Sequence, residues 1–231
     1  YTYNELSDYF EDISFNHNIL IESTSIGITE IYAIINYSKN NYIDILYFEP
    51  KEYSKEKELY LTPEPDFALT KGFHGFYPID GRIVEFGTDN DKYGVVFLGY
   101  ESNRIERMFE EFEIDPFKIH IIAGLPAFNP GWELNTFSKN IDTLIGRSIQ
   151  KSILYSSAYN PIVAFEVLDD IYKSLNEENM YIAPFGTKPH GIASAIFAYT
   201  HPDVFLIYDH PRRSSNRSIK IGNIHLYSIS R

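Results

Sequence analysis

A Gly-Thr-Lys-Pro sequence at residues 186–189 joins an apolar run to a stretch of small residues, and its residue types suit the binding of an anion. Gly186 allows a sharp bend, and Pro189 suits the first turn of a helix, where a missing N–H costs nothing. The free N–H groups at a helix start attract negative charge, and Thr187 and Lys188 add polar side chains beside them. The sequence therefore predicts an anion site at Gly186, Thr187 and Lys188; a capped helix with an exposed lysine is the alternative.

A second polar turn with the same arrangement lies near the N-terminus of the chain. Glu22 follows an apolar run, and Thr24 and Ser25 come after it, before a stretch with helical spacing. We expect the two hydroxyls to donate hydrogen bonds to an anion, or to cap the helix. We expect the Glu22 carboxylate to accept from a ribose or a base, and to serve as acid or base if the protein is an enzyme. A salt bridge is the structural alternative.

Glu101 and Asp209 are two further carboxylates that follow predicted strands. In an enzyme either one would assist Glu22, because paired carboxylates at one sheet edge support acid–base chemistry. Glu101 lies three residues before Arg104, which is also the ordinary spacing of an exposed ion pair within a helix. For Glu101 the ion pair is the preferred interpretation.

Tyr208 and Arg212 lie where the last predicted buried strand gives way to the segment RRSSNRSIK. Basic residues just past a strand favour an anionic ligand, and they stand out in an acidic chain. We therefore expect Tyr208 and Arg212 to contact the ligand. A solvated loop is the alternative explanation.

Composition restricts the classes of ligand. The chain has 231 residues and a formal net charge of −12, which disfavours bulk nucleic acid because a polyanion usually needs a basic face. Cysteine is absent, which excludes disulfides and thiolate metal sites, and no two of the seven histidines have the spacing of a helical zinc pair. We expect no metal site, and the sequence identifies no cofactor. A nucleotide-like or other anionic small molecule is the expected partner.

Several sequence signals are missing. The chain has no Gly-x-Gly-x-x-Gly or Gly-x-Ser-x-Gly motif, which disfavours ordinary dinucleotide dehydrogenases and serine hydrolases. No apolar run approaches the roughly 20 residues that span a bilayer, and no signal-peptide pattern opens the chain. We expect a cytoplasmic protein with no membrane partner. Because the chain begins with Tyr1, we expect it to be a fragment of a longer protein.

Apolar runs alternate with polar turns and helical stretches along the chain. Strands are predicted at 18–23, 42–48, 94–99, 118–123, from 180, 203–208 and 221–229, and helices at 4–13, 28–37, 102–112, the second half of 130–150, 161–176 and after 188. This alternation predicts a single α/β domain over 1–231, doubly wound and Rossmann-like, with a mainly parallel sheet and an antiparallel edge strand. Residues 49–90 are expected to form an excursion after the second strand, with a hairpin at 81–87. All candidate turns should then open at one edge of one sheet.

The FGTKPHG turn at residues 185–191, followed by Ala193 and Ala195, resembles the second ligand-contacting turn of CARF-type domains. These domains are Rossmann-like sensors of cyclic oligonucleotides in prokaryotic antiviral systems. The turn at residues 22–27 occupies the place of their other ligand-contacting loop. The resemblance implies a nucleotide sensor in antiviral defence that pairs as a homodimer.

Three functions fit these observations. The leading hypothesis is a ligand-sensing domain for a nucleotide or similar phosphorylated small molecule. The second is an enzyme acting on a nucleotide or nucleoside, with Glu22 as acid or base. The third is a protein-interaction scaffold that uses the 49–90 excursion, in keeping with an aromatic content of 16%.

Overall fold

A computed structural model describes residues 19–38, 42–54, 69–77, 79, 93–112, 114–149, 153–175 and 180–230. Within these ranges the chain forms ten strands and five α-helices. The helix predicted at 4–13 and the hairpin predicted at 81–87 lie outside the described residues. No helix in the described ranges is both long and apolar enough to cross a membrane.

The central layer is a five-stranded sheet in which all strands run parallel. In spatial order its strands are β6 (Ile153–Ser156), β5 (Ile119–Gly124), β4 (Tyr93–Phe97), β7 (Met180–Pro184) and β8 (Phe205–Leu206). The chain builds β5 and β6 on one side of β4, then returns to build β7 and β8 on the other side. This result confirms the predicted α/β class and is the strand arrangement of a Rossmann-like fold.

Helices cover both faces of this sheet. They are α1 (Ile28–Tyr37), α2 (Ser102–Phe112), α3 (Trp132–Gly146), α4 (Pro161–Ser174) and α5 (Lys188–Thr200). Successive side chains of a strand point to opposite faces, and β4 shows this clearly. Val95 and Phe97 pack in the core that contains α1, α4 and α5, whereas Val96 and Leu98 pack in the core that contains α2 and α3.

A second sheet contains three strands, β1 (Ile19–Glu22), β2 (Tyr42–Tyr53) and β10 (Ser218–Ser230). β1 runs parallel to β2, and β10 runs antiparallel to it. The expectation that β1 and β2 belong to the main sheet is therefore wrong. The inner face of β2 carries the buried Ile43 and Ile45, which pack in the same core as α1.

The 49–90 excursion differs from its prediction in the part that is described. β2 extends to Tyr53, so the first residues of the predicted excursion belong to a strand. β3 (Thr70–Phe73) pairs antiparallel with β9 (Pro211–Arg213) in a separate two-stranded sheet. Most of the remaining residues of this range lie outside the described part of the chain. Neither β6 nor β9 was predicted as a strand.

The close approach of α1 and α5 brings two of the predicted turns together. A Cβ added to Gly191 of α5 would lie 2.1 Å from Cδ1 of Ile28, the first residue of α1. A larger residue at position 191 would have to displace the end of the Ile28 side chain, so glycine favours the close approach of the two helix starts. The turns that precede both helices are therefore neighbours, although they follow strands of different sheets.

Candidate functional site

A cavity of about 120 Å³ lies at the carboxyl ends of β4 and β7, where the strand order of the main sheet reverses. This is the place where open parallel sheets bind ligands. Gly99, Gly124 and Gly186 line it. A Cβ on Gly99 would lie 2.2 Å from the carbonyl oxygen of Phe185, and one on Gly186 would lie 2.7 Å from Nδ1 of His190. Bare backbone therefore forms this part of the cavity wall.

Positive charge is concentrated around the cavity. The cationic lining residues are Arg104, Lys188, Arg213 and Arg217, and among the described residues Glu101 is the single acidic one. The chain as a whole has a formal net charge of −12. A local excess of positive charge in an acidic protein attracts small anions while the rest of the surface repels polyanions.

Lys188 joins the two predicted turns. It is the first residue of α5, and its Nζ donates to the carbonyl oxygen of Ile26 at 2.5 Å, in the turn between β1 and α1. Partial burial, together with the charges of Arg213 and Arg217, lowers the pKa of the Lys188 ammonium to about 7. Near neutral pH this side chain therefore changes its charge readily, and an approaching anion favours the charged form.

Arg213 reaches the cavity from the end of β9, and Arg217 reaches it from the segment between β9 and β10. Nη1 of Arg213 lies 3.7 Å from Oε2 of Glu101, and Nη2 of Arg217 donates to the carbonyl oxygen of Thr24 at 3.1 Å. A guanidinium has five N–H donors, so these contacts leave donors for a ligand. Adjacent strand residues point to opposite sides, which is why Arg213 lines the cavity while the predicted Arg212 does not.

Arg104 has a different role from the other three cations. Its Nε and Nη2 donate to the two carboxylate oxygens of Asp209 at 2.9 and 2.6 Å, and both side chains are buried. Its guanidinium also lies 4.4 Å from the ring centroid of Phe185. Burial alone would lower the pKa of Arg104, but the charge of Asp209 outweighs it and raises that pKa. The ion pair predicted between Arg104 and Glu101 is thus replaced by one with Asp209.

Aromatic rings form another part of the cavity wall. The centroid of Tyr53 lies 5.4 Å from that of Trp132 and 5.6 Å from that of Tyr100, in tilted and edge-on arrangements. All three residues line the cavity and are partly exposed. Burial raises the pKa of Tyr53 and of Tyr100, so both hydroxyls are neutral. This part of the wall is therefore aromatic and uncharged.

The structure brings half of the predicted site residues to the cavity. Those that line it are Thr24, Glu101, Gly186, Thr187 and Lys188. Those that are not among its lining residues are Glu22, Ser25, Tyr208, Asp209 and Arg212. Of the three predicted catalytic carboxylates, only Glu101 therefore faces the cavity.

Glu22 stabilises a turn. Its Oε1 accepts a hydrogen bond from the backbone N–H of Thr24 at 2.8 Å, and its side chain is exposed. Slight burial raises the pKa of Glu22, but hydrogen bonds from Thr24 and Ser25 outweigh this and lower it. A carboxylate with a lowered pKa is a poor general base at neutral pH.

The two threonine hydroxyls differ in what they offer a ligand. Thr187 caps α5: its Oγ1 donates to the carbonyl oxygen of Ala158 at 2.6 Å and accepts from the backbone N–H of His190 at 3.5 Å. Oγ1 of Thr24 accepts from the backbone N–H of Phe48 at 3.0 Å. The Thr24 side chain also makes a hydrogen bond to the Glu22 carboxylate, so a ligand oxygen would have to replace Glu22 as the acceptor of its hydroxyl proton, whereas Thr187 contributes mainly by shaping the turn.

Sequence reasoning missed three important lining residues, Tyr53, Trp132 and Arg217, and it chose Arg212 instead of the neighbouring Arg213 as a ligand contact. The basic segment after β8 did indicate that arginines contact the ligand. Which of them face the cavity depends on how side chains alternate along β9, a strand of three residues. Trp132 is the single tryptophan of the chain and begins α3. Tyr53 comes from the second sheet, whose position could not be inferred from local patterns.

Among the described residues, no group of three or more His, Asp or Glu side chains is placed to hold a metal ion. Neither a scan against protein-family models nor a search of curated proteins finds a match for this chain.

Proposed function

We propose that this chain is a ligand-binding domain for a nucleotide or similar phosphorylated small molecule. The observation that carries the proposal is the cavity at the strand-order reversal, where Lys188, Arg213 and Arg217 meet a single acidic side chain among the described lining residues. The fourth lining cation, Arg104, is already neutralised by Asp209. Phosphate groups are anions that arginine and lysine side chains and the free N–H groups of a helix start bind well.

Three groups would hold the phosphate. Lys188 supplies an ammonium, and Arg213 and Arg217 supply planar guanidinium groups that match two phosphate oxygens at once. Among the first residues of α5, Pro189 has no N–H and the N–H of His190 donates to Oγ1 of Thr187, so the cavity-lining residues Thr187 and Lys188 supply the backbone N–H groups that remain for an anion. The positive end of the helix dipole adds to their attraction for an anion.

The geometry favours binding over catalysis. Asp209 uses both carboxylate oxygens in its ion pair with Arg104, and Glu22 holds a turn outside the cavity lining. Glu101 lines the cavity without a second lining carboxylate among the described residues. Paired carboxylates were the basis of the enzyme alternative, so that alternative has less support than the binding function.

The CARF resemblance extends the proposal to a cytoplasmic sensor in antiviral defence that works as a homodimer. Its support is the pair of turns at residues 22–27 and 185–191, which the Lys188–Ile26 hydrogen bond brings together. The oligomeric state is measured by light scattering coupled to size exclusion. A monomer at all accessible concentrations would remove the dimer from the proposal.

Isothermal titration calorimetry with AMP as the probe tests the binding function. We expect Lys188→Met and Arg217→Met each to weaken binding by about ten- to a hundredfold, because each removes a charged hydrogen bond. Lys173→Met is the matched control, since this lysine is exposed on α4 and pairs with Asp169. No measurable binding of AMP, or equal affinities in all three variants, would contradict the proposal. Chromatography of the recovered AMP distinguishes binding from turnover.

A further inference from the structure

We infer that the ligand carries a planar aromatic ring that lies against Trp132, so that the cavity accepts a nucleotide and discriminates against a plain sugar phosphate. This inference rests on the proposed function and names the ligand class more narrowly. It follows from the aromatic part of the cavity wall, which phosphate binding does not require.

The aromatic residues have the exposure of a binding surface. Trp132, Tyr53 and Tyr100 are half-buried and line the cavity, whereas rings that only fill a core, such as Phe97 and Phe197, are fully buried. Exposed aromatic faces attract planar rings by stacking, and nucleobases stack on such faces with little dependence on sequence.

The cavity lining has an aromatic part and a cationic part, which fits a ligand with one planar end and one anionic end. Tyr53 contacts Trp132 and Tyr100, and it also lies in the electrostatic field of Arg213 and Arg217. Tyr53 is therefore the junction between the aromatic part and the cationic part. A nucleotide has the same order, because its sugar joins a planar base to a phosphate.

A sugar phosphate would satisfy only the cationic part. Its hydroxyl groups gain little against neutral aromatic rings, and displacing water from those rings requires an apolar or planar group. Trp132, Tyr53 and Tyr100 are thus specificity-determining residues in this inference, while Lys188 and Arg217 supply affinity for any phosphate.

The single tryptophan makes the test direct, because Trp132 is the only source of tryptophan fluorescence in the chain. AMP, GMP, CMP, UMP and ribose 5-phosphate are titrated separately, and fluorescence and calorimetry are recorded. We expect at least one nucleotide to quench the fluorescence and to bind between about fivefold and a hundredfold more tightly than ribose 5-phosphate. Equal affinity of ribose 5-phosphate and all four nucleotides would overturn the inference and leave the proposed function intact. Failure of all five to bind would remove both.

Variants of Trp132 separate stacking from folding. We expect Trp132→Ala to lower nucleotide affinity by the same fivefold to hundredfold and to leave ribose 5-phosphate affinity unchanged. Trp132→Phe keeps an aromatic face and should retain most of the affinity, which guards against a folding defect in the alanine variant. Phe117→Ala is the matched control, because Phe117 is 81% exposed and precedes β5 at the end opposite the cavity. Nucleotide affinity unchanged in Trp132→Ala would contradict the inference.

Discussion

Arg104 and Asp209 form a buried ion pair in which two guanidinium nitrogens donate to two carboxylate oxygens, at 2.9 and 2.6 Å. Their side chains are 2% and 0% exposed. The pair joins the first turn of α2 to the segment just before β9. Because β9 carries Arg213, the pair also fixes the position of a cation that lines the cavity.

We expect Asp209→Asn to lower the free energy of unfolding by about 3–5 kcal/mol, because it leaves a buried guanidinium without its counter-charge. Urea unfolding measures this value. The control is Asp169→Asn, which breaks the exposed Asp169–Lys173 pair and should cost less than about 1 kcal/mol. A loss for Asp209→Asn no larger than that of the control would show that the buried pair contributes little to stability.

The binding of an anion should be coupled to the uptake of a proton by Lys188. The pKa of Lys188 is lowered to about 7, so at pH 8 most molecules carry a neutral amine before binding. A bound phosphate raises that pKa, and the protein should take up close to one proton per ligand. Calorimetry with AMP at pH 8 in two buffers of different ionisation enthalpy measures the number.

The affinity should follow from the same linkage. For a ligand whose charge does not change with pH, the affinity should be highest below pH 7. It should fall as pH rises above the pKa that Lys188 has in the unliganded protein. In Lys188→Met both the proton uptake and this fall should disappear. Proton uptake that is equal in the variant and in the unmodified protein would assign the proton to another group.

His190 should make the protein sensitive to acid. Its ring is 0% exposed, and burial lowers its pKa from 6.5 to about 4, so the folded protein holds it neutral. In the unfolded chain His190 has its ordinary pKa of 6.5, so its contribution to the free energy of unfolding is fully present above pH 6.5. It declines as pH falls toward 4, by about 3 kcal/mol in total.

Urea unfolding between pH 7.5 and pH 4.5 tests this expectation. His190→Phe should flatten the decline relative to the unmodified protein. His201→Gln, at a partly exposed histidine on the end of the same helix, should keep it. An unchanged decline in His190→Phe would mean that other groups cause the acid sensitivity.

Gly99→Ala should destabilise the protein by about 1–3 kcal/mol, because the new methyl group would lie 2.2 Å from the carbonyl oxygen of Phe185. That oxygen is a backbone atom and cannot turn away as a side chain could. Gly146→Ala is the matched control. A Cβ at this position meets nothing within 4 Å, and the alanine replaces a glycine at the end of α3. Gly146→Ala should be neutral or stabilise by up to about 1 kcal/mol. Thermal unfolding of the two variants, compared at equal concentration, separates these outcomes.

Local patterns predicted the helices well. The helix at Ile28–Tyr37 and the helix at Ser102–Phe112 have the predicted bounds, because their apolar spacing and their terminal residues are both distinctive. β6 was missed because its Leu154 and Tyr155 are exposed, so its four residues lack the signature of a buried strand. Short strands of mixed exposure carry little local information.

Local sequence patterns do not predict which strands pair with one another. β2 pairs with β10, and Ile43 lies opposite Ile229 in a partner strand that comes at the end of the chain. Nothing in either segment indicates that they form a separate sheet. The turns near Thr24 and Lys188 were predicted to lie together at the edge of one sheet. They do lie together, but the reason is the packing of α1 on α5 and not a shared sheet.

The cavity wall is drawn from two separate sheets. Tyr53 belongs to β2 of the smaller sheet, while Gly99 and Gly186 follow strands of the larger one. A molecule that contacts both sides would bridge the two sheets and would stabilise their packing against each other.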